Sequence, residues 1–172
     1  MKSLRYLAVL PLMAAASQAL TIDVQLGSAS PSGYNSNAFV GLGIGSQLSD
    51  NFHLGLNLTS KKIEDSFTAV DIKAYSAMID LTYELNGAGG IHPFIGLGLG
   101  NTWLSGGDPG TDKNALTMNA FAGMRFTLSE ISDVLLMVRS TSMTNVTIVD
   151  LNGTHKDSIS SWEYVAGLRF KF

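Results

Sequence analysis

Histidines are the residues of this chain best suited to acid–base or metal chemistry, and the sequence holds three of them, His53, His92 and His155. A general base must stand within hydrogen-bonding reach of its target, and a metal site needs several ligands together. These histidines instead fall in three separate segments: an alternating apolar stretch, a turn before Pro93 and a polar stretch. The chain also lacks cysteine, which excludes thiol chemistry and disulfides. We therefore predict no catalytic residue, no metal site and no cofactor.

A second group of reactive side chains consists of carboxylates and arginines placed at alternate positions between apolar residues. Its main members are Asp80, Glu84, Arg125, Arg139, Glu163 and Arg169, and Asp23 and His53 occupy similar positions. Carboxylates and guanidinium groups of similar depth pair bidentately when a fold brings them together. We expect Asp80 and Glu84 to pair with some of these arginines, in a polar network that plugs an interior. The alternative is that each charge faces trapped water independently.

The segments that must position these charges all alternate between apolar and polar residues. The fourth segment places six apolar residues on one face: Tyr75, Ala77, Ile79, Leu81, Tyr83 and Leu85. Successive side chains of a β-strand point to opposite faces, so the pattern predicts a strand with one apolar face. Eight such strands are predicted, over residues 20–27, 39–47, 52–59, 69–85, 94–103, 116–128, 134–139 and 161–172. The seventh loses its pattern after Ser140.

The connections between the predicted strands alternate in length. Polar loops are predicted after every odd-numbered strand, at residues 31–37, 60–68, 105–114 and 149–158, and mostly tighter turns follow the others. Bacterial single-chain membrane barrels have even strand numbers from about eight upwards, short periplasmic turns and longer outer loops. The sequence therefore predicts an all-β fold, an eight-stranded antiparallel up-and-down transmembrane β-barrel over residues 20–172, with both termini in the periplasm.

Aromatic residues on the apolar faces fall at two levels. We predict one aromatic girdle at the periplasmic ends, with Phe52, Tyr83 and Phe126, and another near the outer ends, with Tyr75, Trp103 and Trp162. Tyr75 and Tyr83 are eight residues apart in the sequence. At ~3.3 Å per residue and a tilt of ~40°, such a gap corresponds to roughly 20 Å along the membrane normal, near the ~25 Å apolar band.

A soluble lipocalin-like barrel is the alternative architecture, because it also has eight strands and follows a signal peptide. In such a fold the apolar face lies inside and water meets the polar face. In this chain the smoother, ring-bounded face is the apolar one, and the other mixes glycine, amides and charges. A barrel that took this mixed face as its core would bury many charges at a cost of several kcal/mol each, roughly, without evident partners. We therefore favour the membrane barrel.

The N-terminal segment has the pattern of a secretory signal peptide. Lys2 and Arg5 precede an apolar run up to Ala16, and Ser17-Gln18-Ala19 offers small residues for cleavage after Ala19. An uncleaved anchor is the alternative, but the run is shorter than the ~20 residues a spanning helix needs. The mature chain, residues 20–172, is rich in hydrophobic residues and glycine. The net charge of −3 is weak and argues against a nucleic-acid partner.

The last strand carries a recognisable ending in Gly167, Phe170 and Phe172. It resembles the sorting signal of bacterial outer-membrane β-barrels, with Val165 standing where that family often has a polar residue. The mature chain resembles the small barrels of the OmpA-transmembrane-domain, OmpX and Opa-like group. This resemblance implies a monomer in the outer membrane of a Gram-negative bacterium, inserted by the barrel assembly machinery and surrounded by lipid and lipopolysaccharide. No periplasmic domain is expected after Phe172, so peptidoglycan anchoring is not expected either.

Two stretches are also similar to strands of the lipid A 3-O-deacylase family, which carries a Ser-His-Glu triad. They are Pro93–Gly100 and Val138–Asn145. The alignment places the histidine and serine of that triad on Ser142 and Thr144. No histidine stands there, so the general base of this mechanism is absent.

Three functions remain open. The first is a non-enzymatic barrel with a structural or surface-interaction role, whose outer loops 61–68, 106–114 and 149–157 contact lipopolysaccharide, host surfaces or other cells. The second is a lipid-modifying enzyme with a lost or rearranged triad. The third is a narrow, porin-like channel for ions or solutes. Eight strands leave an interior only wide enough for side chains to fill, and inward glycines such as Gly96 and Gly98 would make room for them. We therefore favour the first.

Overall fold

The structure, a computed structural model, describes residues 20–32, 34–65, 71–105, 114–150 and 153–172. Eight long strands follow one another: β1 Leu20–Pro31, β2 Asn37–Gln47, β3 Phe52–Asp65, β4 Asp71–Glu84, β5 Ile91–Ser105, β6 Asn114–Ser129, β7 Ser132–Asp150 and β8 Gly153–Lys171. A two-residue strand, Tyr34–Asn35, pairs with the end of β3 and continues β2 beyond Ser36. Within the described ranges there is no helix of the length and apolarity needed to cross a bilayer.

Each long strand pairs antiparallel with the next, and the first pairs with the last. The β1–β8 ladder runs from Thr21 opposite Lys171 to Pro31 opposite Ser161 and closes the sheet into a ring. Closure removes the two free edges that an open sheet would expose, and with them the unpaired backbone groups that a bilayer cannot satisfy. The predicted fold, an eight-stranded antiparallel up-and-down barrel, is confirmed.

The two ends of the barrel differ. At the terminal end, where Leu20 and Phe172 lie, the connections are short and span residues 48–51, 85–90 and 130–131. Gly89 and Gly90 adopt positive φ angles of 65° and 79° in the second of these turns, a conformation that side chains with a Cβ rarely tolerate. At the opposite end, the loop end, β7 and β8 are each 19 residues long.

The pairing register is staggered around the ring. Followed one way, the ladder from Leu81 reaches β8 at Trp162, and followed the other way it reaches β8 at Phe172, ten residues along the strand. A stagger of this kind tilts the strands by roughly 35–45° against the barrel axis. Strands β4 and β8 are half a turn of the ring apart, so half of this stagger applies between them. It brings Trp162 of β8 level with Tyr75 of β4.

The apolar faces of the strands point outward. Leu97 is 67% exposed and Trp162 is 59% exposed, whereas Gln25, Arg139 and Glu163 are 2–4% exposed on the inner side. This arrangement is inside out relative to a soluble protein, in which large apolar side chains are mostly buried. The assignment of faces made from the sequence is therefore correct.

The predicted loop at residues 60–68 was wrong in its first half. Strand β3 continues to Asp65, and Lys61 and Ile63 are buried inside the barrel. Inward and outward side chains continue to alternate through these residues. The sequence pattern did not reveal this, because the lumen accepts the charged Lys61 and lysine is typical of loops. Residues 66–70 lie outside the described part of the chain.

The predicted boundaries of the last two strands were too short. Strand β7 continues past Ser140 to Asp150, and β8 begins at Gly153, so most of the predicted loop 149–158 is strand. The hydrophobic pattern is lost because polar residues now face outward and an apolar residue faces inward. Ser140, Ser142 and Thr144 point outward, whereas Met143 is buried inside. The predicted loop 31–37 is partly strand for the same reason, and in the predicted loop 105–114 the residues 106–113 lie outside the described ranges.

Candidate functional site

The lumen is the candidate site, because the chemically competent side chains converge there. Its lowest layer, at the terminal end, is a chain of ion pairs. Arg125 donates from Nε to Oε2 of Glu84 at 2.9 Å, from Nη2 to the other oxygen of Glu84, and from Nη1 to Asp133 at 2.9 Å. Lys171 donates to the second oxygen of Asp133 at 3.0 Å, and Nδ1 of His92 lies 3.1 Å from Glu84. Strands β4, β5, β6, β7 and β8 are thereby tied together.

The adjoining wall, at the junction of β8 and β1, holds a further ion pair. Arg169 donates from Nε and Nη2 to the two oxygens of Asp23, both at 2.7 Å. This bidentate geometry joins β8 to β1 beside the seam of the ring, and charge-assisted pairs of this type are stronger than neutral hydrogen bonds. The neighbouring Thr21 hydroxyl lies 2.8 Å from Nε2 of His53.

A third set of charges lies nearer the loop end. Oε1 of Glu163 accepts from Lys61 at 2.8 Å, and Nε of Arg139 lies 3.1 Å from Oε2 of Glu163. Arg139 also donates to Gln25 at 3.2 Å and stands 5.7 Å above the ring of Phe39. All three charged side chains are nearly inaccessible to solvent, so each depends on the others to offset its loss of hydration.

Asp80 occupies the middle of the lumen and has amide partners. Its two oxygens accept from Asn57 and Asn119, each at 3.3 Å. The expected pairing of Asp80 with an arginine therefore differs from the observed contacts, whereas Glu84 does pair with Arg125. A methyl group added to Gly98 would overlap Asp80 and Asn119, so this glycine makes room for the carboxylate.

A cavity of about 50 Å³ lies against Asp80, Asn57 and the surrounding charges. The side-chain oxygens of Asn57 and Asn119 are buried and have no protein partner. A water molecule needs about 10–15 Å³ of such space and two or more polar partners. The cavity is therefore suited to a few ordered waters rather than to a substrate.

Above the charges the lumen becomes less polar in two steps. The hydroxyls of Ser76, Thr102 and Thr117 form a chain of hydrogen bonds of 2.7 Å each. Beyond them lies an apolar layer, defined by Ile63, Ala74, Leu104, Ala115, Met143 and Ile159, with Ile72 against it. Met143 is 0% exposed. Interiors of large membrane barrels are polar, so an apolar layer at the loop end is unusual, and sequence reasoning missed it.

The charges of the described lumen balance. The carboxylates are Asp23, Asp80, Glu84, Asp133 and Glu163, and the cations are Lys61, Arg125, Arg139, Arg169 and Lys171. Within the described lumen, the formal charges of these side chains therefore offset one another. Within these same ranges, no group of three or more histidine, cysteine or acidic residues is arranged to hold a metal ion.

Sequence reasoning missed several members of this lumen. Lys61 and Asp133 were assigned to a loop and a turn, although both continue the inward parity of their strands. Asn57 and Asn119 stood on the predicted inward faces, but nothing in their type marked them as partners of Asp80.

The residues aligned with a deacylase triad do not form a site. Ser142 and Thr144 point outward and are half-buried. Ser142 stands opposite Met118 and Ser160, and the Thr144 hydroxyl donates to the carbonyl of Leu116 at 3.3 Å. In the described chain no histidine neighbours either residue in the ladder.

The predicted girdle residues lie on the outer surface. Phe52 stands directly opposite Tyr83, with ring centroids 5.0 Å apart, and Tyr75 stands opposite Trp103. Trp162 is exposed and Phe126 is half-buried. In the predicted assembly signal, Gly167 and Phe170 are paired with β1, and the N–H of Phe172 donates to the carbonyl of Leu20 at 2.9 Å.

Comparison with protein families matches residues 3–172 to the family described as "Outer membrane protein beta-barrel domain". A comparison with curated proteins finds no match. Among solved structures, the chain is similar to neisserial surface protein A, with a TM-score of 0.72, 19% identity and coverage of 90% of this chain and 96% of that one.

Two other solved structures illustrate the range of similar barrels. The outer membrane protein OprG from Pseudomonas aeruginosa gives a TM-score of 0.59 at 15% identity, with coverage of 90% of this chain and 96% of that one. The outer membrane enzyme PagL gives 0.60 at 18% identity, with coverage of 84% and 97%. At these identities the likeness shows the fold alone.

Proposed function

Because this chain belongs to the family of outer membrane β-barrel domains, we propose that it is a closed, non-conducting and non-enzymatic barrel whose role is structural or is exerted through its loop end. The observation that carries the proposal is the double closure of the lumen. A balanced set of ion pairs fills its terminal and middle parts, and the apolar layer fills its loop end. In the described part of the chain, both parts place packed side chains across the lumen, and this packing supports a barrel that is closed to ions and solutes.

The proposed orientation places the terminal end in the periplasm and the loop end outside. Turns at the terminal end are short, and β8 stops one residue beyond Phe170, which is exposed on the outer surface. At the loop end, by contrast, β8 begins at Gly153, nine residues before Trp162. Trp162 belongs to the upper girdle, the one predicted near the outer ends with Tyr75 and Trp103. Longer extensions on the outer side and short periplasmic turns are the rule for such barrels.

The proposed partners follow from this placement. The girdles and the exposed apolar band would contact lipid and the lipid portion of lipopolysaccharide. Gly167, Phe170 and Phe172 would be read by the barrel assembly machinery before β8 pairs with β1. We propose a monomer, because the ring satisfies its own strand edges.

Planar bilayer recording tests the closed lumen. Purified protein should add no current steps above the bare bilayer across a range of voltages, while a porin measured in the same bilayer gives them. Channel openings by the wild-type barrel would overturn the proposal. Mass spectrometry of lipid A from cells with and without the protein tests the enzymatic alternative, and an acyl chain lost only in the presence of the protein would establish it.

A further inference from the structure

We propose that the outward face of β3 and β4 at the loop end binds the phosphate group of a lipid in the outer leaflet. The residues that point to it are Lys62 and Lys73, which stand directly opposite each other in the β3–β4 ladder. The proposal rests on the proposed orientation of the barrel, because only that orientation puts these lysines in the outer leaflet.

The burial of neighbouring residues fixes the side on which the lysines lie. Lys61, Ile63 and Ala74 are 1–5% exposed in the lumen. Because side chains alternate along a strand, Lys62 and Lys73 project from the outer wall, and Lys73 is exposed there.

The depth of the lysines matches the headgroup region. Tyr75 is the next outward residue of β4 toward the membrane, and it belongs to the upper girdle with Trp103. Aromatic side chains of this kind mark the boundary between hydrocarbon and headgroups. The two ammonium groups therefore begin where the hydrocarbon ends, which is the level of lipid phosphates.

A groove on the same wall gives the site its shape. It has a volume of about 560 Å³ and is lined by Leu26 and Val40 below and by Ser60, Tyr75, Lys62 and Lys73 above. The lower part is apolar, and both Leu26 and Val40 are more than half exposed. The combination of an apolar channel and two cations at its upper end is complementary to an acyl chain that carries a phosphorylated headgroup.

Electrostatics favours a shared anion. Side chains opposite each other in an antiparallel pair have Cβ atoms about 4.5–5.5 Å apart, and like charges there repel. A phosphate carries roughly −1.5 to −2 charges and three acceptor oxygens, enough to accept from both lysines. Lys62 also interacts with another group of the protein, so Lys73 is the principal ligand in this proposal. Glu64 and Asp71 are the next opposed pair of the same parity toward the loop end of the β3–β4 ladder.

The test compares lipid retention by wild-type protein and variants. The full-length barrel is reconstituted into phosphatidylcholine nanodiscs containing either bisphosphorylated or dephosphorylated lipid A, extracted, and examined by native mass spectrometry for bound lipid. We expect selective retention of the phosphorylated lipid. Combined Lys62→Ala and Lys73→Ala should weaken retention by roughly 10- to 30-fold, and the matched pair Lys62→Arg and Lys73→Arg should keep it.

Each other outcome overturns the proposal. Equal retention of the two lipids, or unchanged retention by the alanine pair, would mean that the lysines bind no lipid phosphate. Displacement of the lipid by excess inorganic phosphate would indicate a site for free anions. Lys73→Gln alone, checked for folding by its heat-dependent gel mobility, replaces the alanine pair if that pair does not fold. Conductance and lipid A modification are independent of this readout, so a failure here leaves the proposed function standing.

Discussion

At the scale of single residues, the lumen depends on side chains that neutralise one another. Glu163 is the point where two buried cations, Lys61 and Arg139, meet one carboxylate. Its replacement by glutamine leaves their charges uncompensated. We expect Glu163→Gln to lower the free energy of unfolding by about 3–5 kcal/mol, as for other broken buried pairs.

Urea unfolding of the folded barrel in micelles, followed by tryptophan fluorescence, measures this loss. Glu130→Gln is the matched control, because Glu130 is an exposed turn residue and such changes usually stay within about 0.5 kcal/mol. Equal, small effects of both substitutions would show that Glu163 does not hold the two cations.

For two glycines that face the same lumen, we expect different effects of substitution by alanine on the free energy of unfolding. A methyl group at Gly98 would overlap Asp80 and Asn119, whereas one at Gly55 would meet no atom closer than 3.6 Å. Overpacking costs about 1–3 kcal/mol, so Gly98→Ala should lower the unfolding free energy by this amount. Gly55→Ala, measured by the same unfolding experiment, should be close to neutral. A larger loss at Gly55 than at Gly98 would contradict the observed packing around Asp80.

At the scale of the strand, β8 closes the ring and ends in the predicted assembly signal. Phe172 is 73% exposed and lies past the last residue of β8. Its side chain therefore packs little against the rest of the barrel. We expect Phe172→Ala to change the unfolding free energy by less than about 1 kcal/mol, and yet to reduce the amount of folded barrel in cells.

Two measurements on one variant separate these effects. Heat-dependent gel mobility of outer-membrane fractions reports folded barrel in cells, and urea unfolding of refolded protein reports stability. Leu128→Ala, at an exposed residue near the end of β6, is the control for loss of a surface apolar group. A Phe172→Ala protein that reaches the membrane in normal amounts would remove the basis for an assembly signal here.

The strands also show how far the sequence could predict the fold. In β4 an unbroken apolar face from Tyr75 to Leu85 predicted the strand and its orientation. In β7 the outward residues turn to hydroxyls at Ser140, so the hydrophobic pattern vanished although the backbone alternation continued. The candidate site was partly predictable for a related reason. The alternation along the strands correctly placed Glu84 and Arg125 inside the barrel. Which partner each one contacts depends on the pairing register between strands, and the register follows from pairing between distant segments.

At the scale of the whole molecule, the proposed closure of the lumen combines two unlike barriers in series. The ion pairs around Arg125 lie across the terminal end, and the apolar layer around Met143 lies across the loop end. Dewetted apolar constrictions block ions even without a charge barrier. We expect replacement of Ile63, Met143 and Ile159 by serine to leave the bilayer current at its baseline, because the ion pairs remain.

Current steps should appear only when the three serine substitutions are combined with Glu84→Ala and Arg125→Ala. The Glu84→Ala and Arg125→Ala pair alone is the second single-barrier control, and it too should stay silent. Conductance from either set by itself would show that the remaining barrier does not close the lumen alone, and silence of the combination would place the closure elsewhere in the barrel.

The ring is sealed by the backbone bond from Phe172 to Leu20 and by the ladder between β1 and β8. This seam joins the first strand of the barrel to the last one. Before this ladder forms, the sheet has two edges of unpaired backbone groups, which a bilayer cannot satisfy. The ring can therefore close only when β8 is available to pair with β1, two strands that lie far apart in the sequence, and contacts of such long range form slowly.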